Sequence, residues 1–165
     1  MGAAPPNRET AAGRPEISPA TVVVERDGAI ATLWLDRPDA FNALSEATLD
    51  ALQAAFERLG ADESLRVVVL AATGRAFCAG HDLREMRAHP SEGYYRQLFA
   101  RCTKMMLAIQ RLPQPVIARV HGLATAAGCQ LVAMCDLAVA SEEARFAVSG
   151  INLGLFCSTP SVALA

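Results

Sequence analysis

A run of β-branched residues in the middle of the chain constrains the fold most strongly. Residues 66–74 have the sequence RVVVLAATG, and an unbroken apolar run of this kind is typical of a strand covered on both faces. A second run, PVIARV at residues 115–120, follows after a helical stretch. Strands covered on both faces occur mostly in parallel sheets, whose crossover connections are usually helices. The sequence therefore predicts an α/β protein.

Strand and helix patterns alternate along the rest of the chain. Residues 45–60 place apolar side chains on one face, with Ser45 as the expected N-cap, and helical spacing returns over residues 91–111. The Asp27–Gly28 pair predicts a hairpin between the first two strands, and a further strand is expected over residues 136–141. This order predicts a largely parallel sheet with right-handed crossovers, in which ligands bind beyond the carboxyl ends of the strands.

Composition argues against several other classes of protein. The 165 residues suit one domain, with a hydrophobic fraction of 52% and a formal charge of −2. There is no basic stripe with interleaved aromatic residues, so no nucleic-acid partner is expected. Every apolar run is shorter than the ~20 residues that span a bilayer, so no membrane partner is expected either. Residues 1–20 mix proline, glycine, alanine and charge without periodicity, which predicts a disordered N-terminal tail before a folded domain over residues 21–165.

The five cysteines fit neither a disulfide framework nor a metal site. Their number is odd, and no two of them form a C-x-x-C pair. Their surroundings are apolar, as expected of reduced thiols in a cytoplasmic protein. The sequence therefore predicts a cytoplasmic location and no metal.

Two loops rich in small residues lie at the carboxyl ends of predicted strands. Residues 77–83 have the sequence FCAGHDL, and residues 121–131 have the sequence HGLATAAGCQL. Small side chains let a ligand oxygen reach the backbone, and the second loop leads into a helix whose first N–H groups and dipole favour negative charge. One free N–H group from each loop would form an oxyanion hole, which stabilises charge on a carbonyl oxygen. The alternative is that both loops are tight packing turns.

Four blocks of sequence together resemble a known family. LDRPDAFNAL (35–44), RAFCAGHDLREM (75–86), the stretch 114–141 and ARFAVSGINLGL (144–155) are similar, in order and spacing, to the enoyl-CoA hydratase/isomerase (crotonase) superfamily, and most of all to its enoyl-CoA hydratase domain-containing branch. The resemblance implies the β-β-α superhelix of the ClpP/crotonase fold. It implies an acyl-CoA or enoyl-CoA substrate, a role in fatty-acid metabolism, and no cofactor apart from the coenzyme A of the substrate. Full-length members form homotrimers or hexamers and continue into a C-terminal helical region that is expected to be absent from this chain.

The resemblance also assigns roles to individual residues. The backbone N–H groups of His81 and Ala127 would hold the thioester carbonyl and stabilise an enolate, with the His81 imidazole directed to solvent or along the coenzyme A. The adenine and pantetheine path would be lined by Ala40, Ala79, Gly80, His81, Asp82, Leu83 and Gly128.

The sequence departs from the hydratase pattern at both catalytic carboxylates. Hydration requires one carboxylate to activate water and another to exchange the α-proton. The corresponding positions are Gln130, whose amide can still orient a water molecule, and Gly150, which offers no functional group. Two other interpretations therefore stay open beside the enzyme. One is a non-catalytic acyl-CoA-binding or regulatory homologue, and the other is a structural core without a competent site.

Other polar residues near the loops have simpler explanations. Asp82 is expected to cap the following helix, and Asp136 to act as a structural cap or salt-bridge partner at the start of its strand. Cys157 and Ser158 lie near the end of the chain without a histidine or aspartate to activate them, so a nucleophilic role is not expected for either.

Overall fold

Two sheets and five helices make up residues 21–148 and 158–164, the part of the chain that the computed structural model describes. The strands are β1 (Val22–Asp27), β2 (Ile30–Leu35), β3 (Val67–Ala72), β4 (Ala76–Cys78), β5 (Val116–Val120), β6 (Leu123–Thr125), β7 (Leu137–Ala140) and β8 (Arg145–Ala147). The helices are α1 (Glu46–Gly60), α2 (Leu83–Ala88), α3 (Glu92–Gln110), α4 (Ala127–Ala133) and α5 (Ser158–Leu164), and a 3-10 turn covers Pro38–Ala40. The predicted tail at residues 1–20 lies outside the described residues.

The larger sheet has the strand order β1-β2-β3-β5-β7. β1 and β2 form the predicted antiparallel hairpin, whose turn at Gly28 has a φ of 56°. The remaining neighbours are parallel, as the β-branched runs predicted. Leu33, Leu70 and Ala118 lie in register on three adjacent strands and are fully buried, so the core runs along one face of this sheet.

The two long helices each begin after a serine cap, of which Ser45 was predicted from the sequence. The hydroxyl oxygen of Ser45 accepts a hydrogen bond from the backbone N–H of Thr48 at 3.1 Å, and that of Ser91 accepts one from Tyr94 at 3.2 Å. Such caps satisfy N–H groups that the first helical turn leaves unpaired. α1 and α3 pack together against the core. Their buried side chains are Leu49, Leu52, Phe56, Leu59, Leu98, Cys102, Met105, Met106 and Ile109.

The smaller sheet corrects the simple alternation of strand and helix. β4, β6 and β8 pair in parallel, so residues 77–83 include the end of β4, and residues 121–131 include all of β6 and the start of α4. Three-residue strands are too short to give a periodic signal. Three successive pairs of strands, β3 and β4, β5 and β6, and β7 and β8, each place one strand in each sheet. Helices follow the first two of these pairs, which makes the β-β-α superhelix that the resemblance implied.

Candidate active site

The two small-residue loops meet at the carboxyl ends of β4 and β6. The strands pair through Cys78 and Ala124, and two glycines bring the loops that follow into contact. Gly80 has a φ of 89°, and a Cβ atom there would lie 3.2 Å from the backbone nitrogen of Ala127. A Cβ atom at Gly128 would lie 2.2 Å from the carbonyl oxygen of Cys78. Any larger residue at these positions would push the loops apart, so the glycines set their spacing.

Each loop presents at least one backbone N–H group without an acceptor among the described residues. Three backbone hydrogen bonds of 2.7, 3.0 and 3.2 Å join residues 79–82 to residues 41–44. Between these bonds, the N–H group of His81 donates to no acceptor among residues 21–148 and 158–164. The same holds for the N–H group of Ala127, the first residue of α4. Two unpaired donors therefore lie on two loops that touch.

The backbone of Ala126 turns the second loop into α4. This residue has a φ of 51° and a ψ of −124°, a conformation that is costly for any residue with a side chain. Its N–H group is held by the carbonyl of Ala147 in β8 at 2.9 Å. α4 has only seven residues, so the Ala127 donor depends on its own amide more than on the helix dipole that the sequence suggested.

A buried asparagine, which the sequence reasoning missed, supports the first loop. Asn42 has a φ of 53° and is 1% exposed. Its side-chain oxygen accepts from the Arg37 N–H at 2.8 Å, and its amide nitrogen donates to the carbonyls of Thr73 and Ala76 at 2.8 and 2.9 Å. The sequence signal that could have identified Asn42 is that asparagine tolerates the left-handed conformation better than most residues.

A cavity of about 290 Å³ opens beside the first loop and includes part of the predicted coenzyme A path. Asp82 caps α2 as predicted, since its carboxylate accepts from the Arg84 N–H at 3.0 Å, and it also pairs with Arg37 at 3.2 Å. The guanidinium of Arg75 stacks on the ring of Phe41 at 4.4 Å. The planar guanidinium of arginine can donate two hydrogen bonds at once to the oxygens of a phosphate group. The cavity is lined by Arg37, Asp39, Ala40, Phe41, Ala43, Asp82, Leu83 and Arg84.

The His81 imidazole is partly buried rather than directed into open solvent, which was one of the two directions expected from the sequence. Its ring packs edge-on against Phe99 of α3, with ring centroids 5.4 Å apart. Its Nδ1 atom is buried and has no hydrogen-bond partner among the described residues. Burial lowers the pKa of the imidazole below its ordinary value, so the ring is neutral at pH 7.

Gln130 lies on α4 three residues after Ala127. The residue is 9% exposed, and its Oε1 atom has no hydrogen-bond partner in the part of the chain that the structure describes. The other position of a family glutamate, Gly150, lies outside the described residues, as does Cys157. The side chain of Ser158 is also not described.

Asp136 and His121 have structural roles. The Asp136 carboxylate accepts from the backbone N–H of Val116, the first residue of β5, at 2.7 Å, so its role is structural, although the bond joins residues 20 positions apart. The His121 ring bonds the carbonyl of Gly74 at 2.7 Å.

The buried cysteines near the loops are unsuited to nucleophilic chemistry. Burial raises the pKa of the Cys78 thiol to about 12 and that of Cys102 to about 11. Because the thiolate is the reactive form, these thiols are inert near neutral pH. Within the described ranges, no cluster of three or more histidine, cysteine, aspartate or glutamate side chains could hold a metal ion, and no helix is long and apolar enough to cross a membrane.

Comparison with known families agrees with this fold. The sequence model of the enoyl-CoA hydratase/isomerase family matches residues 25–163. The chain belongs to this family. The enoyl-CoA hydratase domain-containing protein 3, mitochondrial, of Xenopus laevis is 48% identical over 147 residues, which cover 89% of this chain and 50% of that protein. The 2,3-dehydroadipyl-CoA hydratase of Escherichia coli K12 is 38% identical, over 81% of this chain and 51% of that protein. The branch suggested by the sequence is thereby confirmed.

Solved structures give the same result. The crystal structure of an enoyl-CoA hydratase from Mycobacterium smegmatis superposes with a TM-score of 0.86 at 72% identity, over 87% of this chain and 56% of that one. The human enoyl-CoA hydratase domain-containing protein 3 superposes with a TM-score of 0.83 at 44% identity, over 87% of this chain and 57% of that one. The chain spans about half the length of the curated relatives it matches.

Proposed function

We propose that this family member is an acyl-CoA thioester-binding enzyme whose oxyanion hole consists of the N–H groups of His81 and Ala127. The observation that carries the proposal is that these two donors are unpaired within the described residues, on loops that Gly80 and Gly128 hold in contact. A thioester carbonyl that accepts both hydrogen bonds is polarised, and its α-proton becomes more acidic. The enolate formed by loss of that proton places its charge on the same oxygen. Each such donor typically contributes about 10²–10³ in rate.

The cavity beside the first loop is the proposed site for the adenine and phosphate end of coenzyme A. Its lining runs from Arg37 to Ala43 and from Asp82 to Arg84, so it adjoins the His81 donor along the chain. The pantetheine would run past Gly80 toward the two N–H groups. By analogy with the family, we further propose a role in fatty-acid metabolism as a cytoplasmic homotrimer or hexamer.

A second candidate function is a non-catalytic acyl-CoA-binding homologue. Gln130 favours it, because an amide does not exchange protons near neutral pH. The His81 imidazole is neutral, yet its ring is packed against Phe99, and Gly150 brings no functional group. A structural core with no ligand is the third reading, and it predicts no thioester binding at all.

Calorimetric titration tests the oxyanion hole directly. Butyryl-CoA is compared with S-butyl-CoA, a thioether that lacks only the carbonyl oxygen. We expect the thioester to bind about tenfold more tightly or better, since two hydrogen bonds contribute about 0.5–1.5 kcal/mol each. Equal affinities would contradict the proposed oxyanion hole. Failure of both compounds to bind would favour the interpretation of a structural core without a ligand.

Proton exchange separates the enzyme from the binding homologue. The Cα protons of butyryl-CoA are followed by NMR in deuterated buffer with and without the protein. Exchange that the protein accelerates shows enolate formation, whereas binding without exchange favours the non-catalytic homologue.

A further inference from the structure

A second cavity, the α1–α3 cavity, lies between the later turns of α1 and α3 and is lined by side chains within residues 53–60 and 104–113. Its volume of about 340 Å³ falls within the range of small-molecule sites and exceeds the 290 Å³ of the cavity beside the first loop. The first loop pairs with Leu44, before the start of α1. Glu57 at the α1–α3 cavity comes eleven residues after Glu46, a rise of roughly 16 Å along the helix. The α1–α3 cavity is therefore separate from the first loop of the proposed thioester site.

The floor of the α1–α3 cavity is apolar. Phe56 of α1 lines it and is fully buried, and Ala108 and Leu112 are partly buried hydrophobic residues that pack against the core. Gly60 keeps the floor open, because a Cβ atom there would contact Leu112 and Pro113 at 3.8 and 3.7 Å. A ligand with an apolar body is stabilised when it covers such a surface and removes it from water.

Charged side chains form the rim of the α1–α3 cavity. The Glu57 carboxylate is already engaged, since it accepts a hydrogen bond from the Gln53 amide at 2.5 Å and lies 3.7 Å from the ammonium group of Lys104. The guanidinium of Arg111, by contrast, has no hydrogen-bond or ion-pair partner among the described residues. The rim therefore carries two cations against one carboxylate, which leaves one positive charge free for a ligand.

The charge of the rim and the floor together define the chemistry of the ligand. One surplus positive charge matches a monoanion better than a doubly charged phosphate. The planar guanidinium of Arg111 can donate two parallel hydrogen bonds to a carboxylate. A carboxylate without a hydrocarbon body would leave the apolar floor in contact with water, and a neutral hydrocarbon would leave the arginine unpaired. A carboxylate that carries an unbranched hydrocarbon chain matches both features.

We propose that the α1–α3 cavity is a second ligand site, which binds medium-chain monocarboxylates with the carboxylate on Arg111 and the hydrocarbon chain along Phe56 and Leu112. This site is distinct from the proposed thioester site, and neither depends on the other. Burial of one methylene group corresponds to a gain in affinity of about fourfold. Octanoate should therefore bind roughly tenfold more tightly than hexanoate, because it brings two more methylene groups onto the floor.

Lys104 supplies a local probe for the experiment, because it is the only lysine in the chain. Reductive methylation with isotope-labelled formaldehyde marks Lys104 and the N-terminal amine and leaves both positively charged. NMR then follows the two signals while the whole chain is titrated with hexanoate or octanoate. We expect the Lys104 signal to shift with the roughly tenfold difference in affinity, and the N-terminal signal to stay in place. Saturating butyryl-CoA should change neither titration.

Two substitutions test the role of the guanidinium. Arg111→Gln should weaken octanoate binding about tenfold or more, because it removes the charge that holds the carboxylate. Arg96→Gln is the matched control, since it removes an arginine of α3 whose side chain is 78% exposed and pairs with Glu92 outside the cavity. This control should leave the affinity for octanoate unchanged. Both arginines are exposed, so both variants are expected to fold.

Four results would overturn the inference while the proposed function stands. The first is no shift of the Lys104 signal up to about 10 mM octanoate. The second is equal affinity for hexanoate and octanoate, as expected of a carboxylate that meets surface charges without covering the floor. The third is an affinity that Arg111→Gln does not change, and the fourth is displacement of octanoate by butyryl-CoA. Failure of butyryl-CoA to bind, with octanoate bound as expected, would instead overturn the thioester site alone.

Discussion

Gly128→Ala tests whether the close contact between the two loops sets the spacing of the proposed donors. The added methyl group would lie 2.2 Å from the carbonyl oxygen of Cys78 and 2.8 Å from the carbonyl carbon and Cβ of the same residue. Ordinary contact begins at 3.4 Å, so the start of α4 has to move away from β4 by roughly 1.2 Å, the difference between the two distances. The contacting atoms include backbone, which cannot rotate out of the way.

The magnitude of the effect follows from this displacement. Overpacking of a filled site costs about 1–3 kcal/mol, and the better helix propensity of alanine offsets about 0.5–1 kcal/mol of that cost. A net loss of up to about 2.5 kcal/mol lowers the Tm of a domain of this size by up to roughly 10 °C. A misplacement near 1 Å at a reacting group is also worth about 10²-fold in rate. We therefore expect the affinity for butyryl-CoA to fall at least tenfold, and any α-proton exchange to fall further.

Thermal unfolding and calorimetric titration measure the two effects, and Gly93→Ala supplies the matched control. Gly93 lies in the first turn of α3, and a Cβ atom there would meet nothing within 4 Å. The same substitution at this position should leave binding unchanged and raise stability by about 0.5–1 kcal/mol. The reasoning is refuted if Gly128→Ala matches Gly93→Ala in both stability and affinity.

Three further predictions concern single groups. Crotonyl-CoA hydration should be far slower than the ordinary range of roughly 1–10³ s⁻¹, because Gln130 cannot act as a general base, and a turnover number within that range would contradict this. Asp136→Ala should cost about 1–2 kcal/mol in urea unfolding, because it strips the acceptor from the Val116 N–H group, and Asp136→Asn, which keeps an oxygen there, should cost less. Burial lowers the pKa of His81 below its ordinary 6.5, so the imidazole binds a proton more readily in the unfolded chain than in the folded one. The contribution of the neutral, buried ring to the free energy of unfolding is complete above pH 6.5 and is lost as the pH falls toward the lowered pKa. His81→Gln should therefore lose less stability than wild type between about pH 7.5 and 5, and parallel pH profiles would contradict the burial of the ring.

Much of the larger sheet was predictable from sequence because its elements are long and regular. The β-branched run at residues 66–74 predicted β3, the Asp27–Gly28 pair predicted the hairpin, and Ser45 and Ser91 marked the helix starts. Each of these signals is local, since it depends on side-chain sterics or on a cap within one turn.

The smaller sheet and the donors could not be derived in the same way. β4 and β6 have three residues each, and their alanines, cysteine and threonine give no alternation. Whether a particular backbone N–H group is unpaired depends on the register of distant segments, such as residues 41–44 against residues 79–82. The family resemblance identified His81 and Ala127 as the two donors. Only the coordinates reveal that the His81 ring lies against Phe99.

The backbone of Ala126 has a consequence for how this chain responds to selection. Its φ of 51° and ψ of −124° cost a residue with a side chain about 1–3 kcal/mol, and glycine adopts such angles freely. Ala126→Gly would relieve that cost, although the larger conformational entropy of the unfolded chain would offset about 0.4–1 kcal/mol of the gain in stability. A laboratory screen for heat resistance alone would therefore favour glycine at the residue that aims the Ala127 amide. Variants enriched by such a screen would gain thermal tolerance by loosening the loop on which thioester recognition is proposed to depend.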